Sequence, residues 1–274
     1  MNRFDKLYIT YMPQGRTAFN AYICAGDPDL ETTAALIREF SRRGVDAIEL
    51  GVPFSDPVAD GPVIQQAAMR ALQNDTSLED ILTMVSDIRK DCDIPLALMS
   101  YFNPIHSYGV QRLVADASAV GVDGLIIPDL CPEEAGDLVP HAREHDLKTI
   151  FFIAPTTSPE RARLIDEYST GFIYCVSVTG ITGARTKLPD ELRGSLEALR
   201  EATTKPLVVG FGISSVETVR MMCDVADGVI VGSAICAKIA ENLEKPRTEL
   251  VNNVAGFAET LAAAAAECIR GKGE

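Results

Sequence analysis

Eight short apolar runs recur along the chain, at residues 19–24, 45–50, 95–99, 124–127, 149–153, 171–176, 206–209 and 228–231, and a longer amphipathic stretch follows each. A run that is apolar throughout suits a strand covered on both faces, as strands of parallel sheets are. Eight strand–helix units in succession predict a closed parallel (β/α)8 TIM barrel, an α/β fold. A length of 274 residues suits one such barrel, and no linker or low-complexity stretch interrupts it, so residues 1–274 are read as a single domain. Gly44, Gly121 and Gly171 stand where a helix should end before the next strand. Extra helices are expected at the N-terminus, at 63–73 and 78–90 after the second strand, and in the Ala-rich C-terminus. An open doubly wound sheet is the alternative that the same alternation permits.

The formal net charge is −14, which argues against a general nucleic-acid binder and against attachment to an anionic membrane surface. No apolar run approaches membrane-spanning length, and the N-terminal stretch has no long apolar core of a signal peptide. Seven cysteines, an odd number, are scattered singly without a C-x-x-C pair, which fits a reduced, cytoplasmic protein. A small anionic ligand remains compatible with the acidic balance, because a local site opposes the global field. His141-Ala-Arg-Glu-His145 matches a zinc-hydrolase pattern, but it falls in an outer helical segment away from the strand ends. His106 is isolated, and no metal site is expected.

In a (β/α)8 barrel the chemistry sits in the loops that follow the strands. Two of these loops are long: residues 51–62, acidic and rich in proline, and residues 178–188, rich in Gly and Thr. Glu49 closes the second apolar run and shares parity with Val45 and Ala47, so it is expected to face inward. A carboxylate at an apolar barrel mouth loses hydration, which favours its neutral form and tunes it for proton transfer near neutral pH. An ion pair with a neighbouring strand is the structural alternative, yet the eight runs contain no Lys or Arg. Asp60 lies at the far end of the same loop, either dividing acid–base labour with Glu49 or capping the helix that starts near Pro62. Asp56, in Ser-Asp-Pro, reads by default as a turn residue.

Gly210-Phe-Gly-Ile-Ser214 follows the seventh run and Val231-Gly-Ser-Ala234 the eighth. These are the two positions where such barrels bind phosphate on helix N-termini, the alternative being two tight turns capped by Ser214 and Ser233. The cradle carries no Lys or Arg, so a phosphate there would rely on backbone dipoles, with Arg185 or Lys187 arriving from the 178–188 loop. Neither a dinucleotide fingerprint nor a Walker motif is present.

Taken with Ala25-Gly-Asp-Pro28, the 49–62 stretch, Met99-Ser-Tyr-Phe-Asn-Pro104, Ile127-Pro-Asp129 and Thr179-Gly-Ile-Thr-Gly183, these motifs make the chain resemble the tryptophan synthase alpha subunit over nearly its whole length. The resemblance implies a lyase that splits indole-3-glycerol phosphate into indole and glyceraldehyde 3-phosphate. It implies acid–base chemistry by Glu49, and pairing of Asp60 with the indole N–H. It places Tyr22, Met99, Ile126, Ile153, Tyr174, Phe211 and Ile230 around the indole and glycerol, with Thr182 and Gly183 on a closing loop. Tyr22 and Met99 stand where the family usually has phenylalanine and leucine. Gly183, Gly212, Ile213, Gly232 and Ser233 would bind phosphate. It also implies a partner, a beta subunit that carries pyridoxal phosphate and receives the indole within a complex of two alpha and two beta chains. Pro53, Asp56 and Asn103 would lie near that interface, and no cofactor is expected in the alpha chain itself. An alpha-like subunit that only activates its partner, and another phosphate-binding barrel enzyme, are the alternatives.

Overall fold

The computed structural model of the chain describes residues 1–176, 190–210 and 212–269. Nine strands form one sheet among them: β1 Ala18–Cys24, β2 Ala47–Gly51, β3 Leu96–Met99, β4 Gly124–Ile126, β5 Lys148–Ile150, β6 Phe152–Ile153, β7 Ile173–Val176, β8 Leu207–Gly210 and β9 Gly228–Val231. Their order is β5-β4-β3-β2-β1-β9-β8-β7-β6, and every pairing is parallel. Only Phe151 separates β5 from β6, so the fifth apolar run is one strand with a break. β5 pairs with β4 and β6 pairs with β7, which brings the two ends of the sheet together. The Tyr174 N–H donates to Phe151 O at 3.0 Å and that of Thr170 to Thr149 O at 2.9 Å, joining the break to the next strand. The result is a (β/α)8 barrel, not the open doubly wound sheet.

Strand alternation divides the core into two layers. Ile48, Leu50, Leu96, Leu98, Val209 and Val231 face outward and pack under the helices. Ala18, Ala47, Ala97, Ile126, Ile150, Tyr174, Val208 and Ile230 face inward. The inward set mixes alanines with isoleucine and tyrosine, which together fill the narrow interior of an eight-stranded barrel. Val45 precedes β2 and packs with the outward layer, so the parity that points Glu49 inward begins at Ala47.

The N-terminal helix, Arg3–Tyr11, plugs the end of the barrel where the strands begin. Phe4 lies edge-on to Phe172 at 5.6 Å between ring centroids. Asn2 caps this helix by accepting from Phe4 N–H at 2.9 Å. Its amide also donates to Asp123 O at 2.9 Å and Asp146 O at 2.8 Å, which staples the plug across β4 and β5. The helices after β2 run Pro62–Leu72 and Leu78–Ile88, and the C-terminal helix runs Arg247–Glu267. Gly44 and Gly121 take positive φ at helix ends, as the sequence predicts. Gly171 does not. A Cβ there would come within 3.1 Å of the Lys148 Cβ, so glycine is needed for close packing on β5 instead.

One device recurs at the strand starts. A side chain one to three residues before β2, β4, β7 or β9 accepts an N–H from the first or second residue of the strand before it, β5 and β6 counting as one strand. Asp46 accepts from Phe19 at 2.8 Å, Asp123 from Leu96 at 2.9 Å, Thr170 from Thr149 at 2.9 Å and Asp227 from Leu207 at 2.8 Å. Buried backbone donors must find acceptors, and here side chains supply them where the ladder begins.

Candidate active site

Glu49 occupies the third position of β2, opposite Tyr22 on β1 and Ala97 on β3. Its side chain points into the barrel and the residue is 1% exposed. Neither carboxyl oxygen has a hydrogen-bond partner among the described residues. Burial alone pushes its proton affinity up, to about 8. No cation from a neighbouring strand approaches it among the described residues, so the ion-pair alternative fails. A neutral carboxylic acid with an open oxygen at the top of the barrel is a proton donor at neutral pH and, once ionised, a base.

Asp60 closes the loop that follows β2. It is not the cap of the next helix: Gly61 holds that position, without a side-chain bond, and Pro62 begins the helix. Tyr101 from the loop after β3 stands beside its carboxyl. The Tyr101 hydroxyl acts on Asp60 and accepts the Ala59 N–H at 3.0 Å, while its ring packs on Phe54 at 5.5 Å. Partial burial raises the Asp60 proton affinity and the Tyr101 hydroxyl partly opposes this. The helix beyond Asp60 is tied to β1 by Arg70, which grips the buried Asp27 through both carboxylate oxygens at 2.7 and 2.9 Å. The Ala25-Gly-Asp-Pro28 motif therefore helps to position the Asp60 loop.

Between the Asp60 loop and the β8 and β9 ends lies a cavity holding about 530 Å³ of space, part of it open to solvent. Tyr22, Met99, Tyr174 and Ile230 form its barrel wall, Asp60 and Ile64 one rim, and Gly212, Ile213, Gly232 and Ser233 the other. Glycine is required where the tyrosines cross the strands. A Cβ on Gly51 would stand 2.3 Å from the Tyr22 hydroxyl, and one on Gly210 would stand 2.3 Å from that of Tyr174.

The two helices at the glycine rim differ. The one after β8, Val216–Cys223, is closed by a capping box in which Ser215, not Ser214, accepts from Thr218 N–H. The one after β9, Ser233–Ala240, starts at Gly232 with no side-chain cap. Its first N–H groups, unbonded within the helix, lie at the rim that Gly232 and Ser233 form, where an anion is favoured. No Lys or Arg lines the cavity among the described residues.

Ile126 lies in the inward layer, fully buried. Ile153 does not join the site: it faces outward among the residues under the helices. Alternation gives the inward position to Phe152, whose ring lies 4.7 Å from that of Tyr174. Thr182, Gly183, Phe211, Arg185 and Lys187 lie outside the described residues. Asp56 and Asn103 are exposed near the Asp60 loop, Asp56 accepting from Ser55, while Pro53 is buried. The sequence reading assigned no role to Tyr101, Phe152 or Ile64. Strict alternation along 149–153 could have found Phe152; nothing local marks the reach of Tyr101 to Asp60. His141 and His145 sit at an outer helix, with the His145 ring on His141 O at 2.9 Å. Among the described residues no group of three or more His, Cys, Asp or Glu could hold a metal ion, and no helix is long and apolar enough to cross a membrane.

Comparison with known proteins bears on this arrangement directly. Residues 9–266 match the family model described as tryptophan synthase alpha chain. The chain is 46% identical over 263 residues to the tryptophan synthase alpha chain of Geotalea uraniireducens, covering 96% of this chain and 97% of that one. The crystal structure of tryptophan synthase subunit alpha from Legionella pneumophila superposes with a TM-score of 0.89 at 36% identity, covering 97% of this chain and 98% of that one. A chain of the tryptophan synthase complex from Pyrococcus furiosus gives a TM-score of 0.80 at 36% identity, over 90% of this chain and 98% of that one. With the match running almost end to end in both sequence and structure, the chain belongs to the tryptophan synthase alpha chain family.

Proposed function

We propose that the chain is a carbon–carbon lyase that cleaves indole-3-glycerol phosphate to indole and glyceraldehyde 3-phosphate. The observation that carries this reading is Glu49: a buried, unpartnered acid with proton affinity near 8, at the barrel end where Asp60 and the cavity lie. Breaking the bond between indole C3 and the glycerol carbon requires a proton on C3, so that the ring leaves as neutral indole. Glu49 in its neutral form supplies that proton. The glycerol hydroxyl next to the breaking bond must lose its proton as the aldehyde forms, and the Glu49 carboxylate takes it. Protonation at C3 places positive charge on the ring, delocalised to its nitrogen. Asp60, beside the Tyr101 hydroxyl, accepts the indole N–H and stabilises that charge as it develops.

The apolar wall of Tyr22, Met99, Tyr174 and Ile230 suits the indole and glycerol, with Ile126 beneath. The open helix start at Gly232 and Ser233, with Gly212 and Ile213, suits the phosphate. By resemblance, Phe211, Thr182 and Gly183 complete the pocket. The chain would work with a pyridoxal-phosphate-dependent beta chain in a complex of two alpha and two beta chains, making L-tryptophan from the released indole. Pro53, Asp56 and Asn103 would lie near that contact. Seven free thiols support a reducing, cytoplasmic setting. The test is indole release from indole-3-glycerol phosphate, measured with and without the beta chain. Release is expected in both, faster with the partner. No release in either, with stimulation of the beta reaction intact, would make this an activating subunit instead.

A further inference from the structure

Six buried side-chain nitrogen and oxygen atoms lack a hydrogen-bond partner among the described residues, and five of them belong to Tyr8, Asn20 and Glu49. The three residues share one region of the barrel interior. Asn20, on β1, pairs with Ala47 and Ile230, one inward step below Tyr22, which pairs with Glu49. Tyr8 rises from the N-terminal helix with its ring 6.1 Å from that of Phe172, and its hydroxyl feels both the Asn20 amide and the Glu49 carboxyl. Asn20 is 0% exposed and Tyr8 5%.

A buried polar group left unsatisfied destabilises the fold. On the proposed function, substrate accounts for the free oxygens on Glu49, which is not itself among the residues lining the cavity. It does not account for Asn20 and Tyr8, which lie beneath Glu49 on the side closed by the plug. Buried water commonly serves polar atoms in this situation, making about three hydrogen bonds. We propose that Asn20 is a positioning residue for Glu49, acting with the Tyr8 hydroxyl through internal water that bridges the three side chains. The inference rests on the reading of Glu49 as the acid–base group. Its chemical content is that the Asn20 amide, through water, donates toward the carboxylate left when Glu49 gives up its proton, easing both loss and return. The titratable groups that act on or feel Glu49 are Tyr22 from β1, Tyr174 from β7 and Tyr8 from the plug. Ala97 on β3 adds none, and Asp60 lines the cavity from its loop.

The test follows the Glu49 carboxyl by carbon-13 NMR in the full chain labelled at glutamate carboxyls, without substrate, with Glu49→Gln assigning the signal. Asn20→Val is expected to move the titration midpoint upward by about one pH unit or more, because the charged form loses its donor. Asn20→Ser, which keeps a polar group and leaves room for water, is expected to return it most of the way, and Tyr8→Phe to move it upward by less. Turnover in Asn20→Val is expected to fall about tenfold in kcat with KM little changed, since misplaced catalytic groups lose rate rather than binding. A folded Asn20→Val with an unmoved midpoint overturns the proposal; should that variant not fold, an unmoved midpoint in Tyr8→Phe does the same. A crystal structure of the unliganded chain without ordered water between Asn20 and Glu49 removes the bridge. A shifted titration in a chain that releases no indole would sustain this inference while ending the lyase reading; normal indole release with an unmoved midpoint would do the reverse.

Discussion

The two ends of the barrel use buried acids in opposite ways. Where the strands begin, Asp123 accepts the Leu96 N–H and meets Arg89 at 2.9 Å and Arg3 at 3.0 Å. Asp227 accepts the Leu207 N–H and meets Arg200 at 3.0 Å, and Asp46 accepts from Phe19 and Tyr11. Near the strand ends, Glu49 is as deeply buried as Asp123 and Asp227, deeper than Asp46, and has no hydrogen-bond partner among the described residues. Burial raises the proton affinity of Asp123, but two arginines and a backbone N–H oppose it; for Glu49 nothing opposes. Depth is the same, so depth alone does not separate a structural acid from a reactive one. The partners do. Asp27, buried beyond β1 and gripped by Arg70, shows that the structural pattern also reaches the upper end wherever a loop must be held.

The contrast is open to attack from both sides. Glu49→Gln is expected to lower kcat for indole release about 10³-fold while the fold persists, as removal of a general acid–base group does; near-normal turnover would remove its role. Asp123→Asn should do the reverse. It leaves Arg89 buried without its counter-charge, so urea unfolding should show a loss of about 3 kcal/mol, with turnover of the folded protein nearly unchanged. Asp60→Asn is expected to reduce kcat about 10²-fold with little change in stability, because it removes charge that the transition state uses and the folded chain does not. The smallest effect is on stability against pH. Glu49 titrates near 4.5 when unfolded and near 8 when folded, so the folded state holds the proton more tightly. Its stability is fully present below about pH 4.5 and declines as pH rises to about 8. Glu49→Gln has no such decline. Between pH 6 and pH 7.5 its advantage over the parent chain in calorimetry should grow by about 2 kcal/mol; parallel curves would mean that Glu49 is charged in the folded protein.

Much of this was legible along the chain. The eight runs marked the strands to within a few residues, because a strand covered on both faces must be apolar throughout. The inward direction of Glu49 followed from alternation. The family resemblance put Ile153 at the site, whereas alternation along 149–153 turns Phe152 inward and Ile153 outward. The helix cap that was the alternative role for Asp60 belongs to Gly61, and the one that was the alternative role for Ser214 belongs to Ser215. In both cases a difference of one residue decides which side chain is free for a ligand.

By itself the sequence determined the alternation of strand and helix and the placement of an acid inside an apolar wall. These are properties of neighbouring residues and of periods of two and 3.6, which any local segment carries. Only the tertiary structure decided which acids are satisfied. Asp123 finds Arg3 from 120 residues away, and Asp60 finds Tyr101 across two loops, because closing the barrel brings those strand ends together. Glu49 stays without a partner for the same reason: the inward positions around it are held by Tyr22, Ala97 and Tyr174, none of which brings a charge to neutralise it.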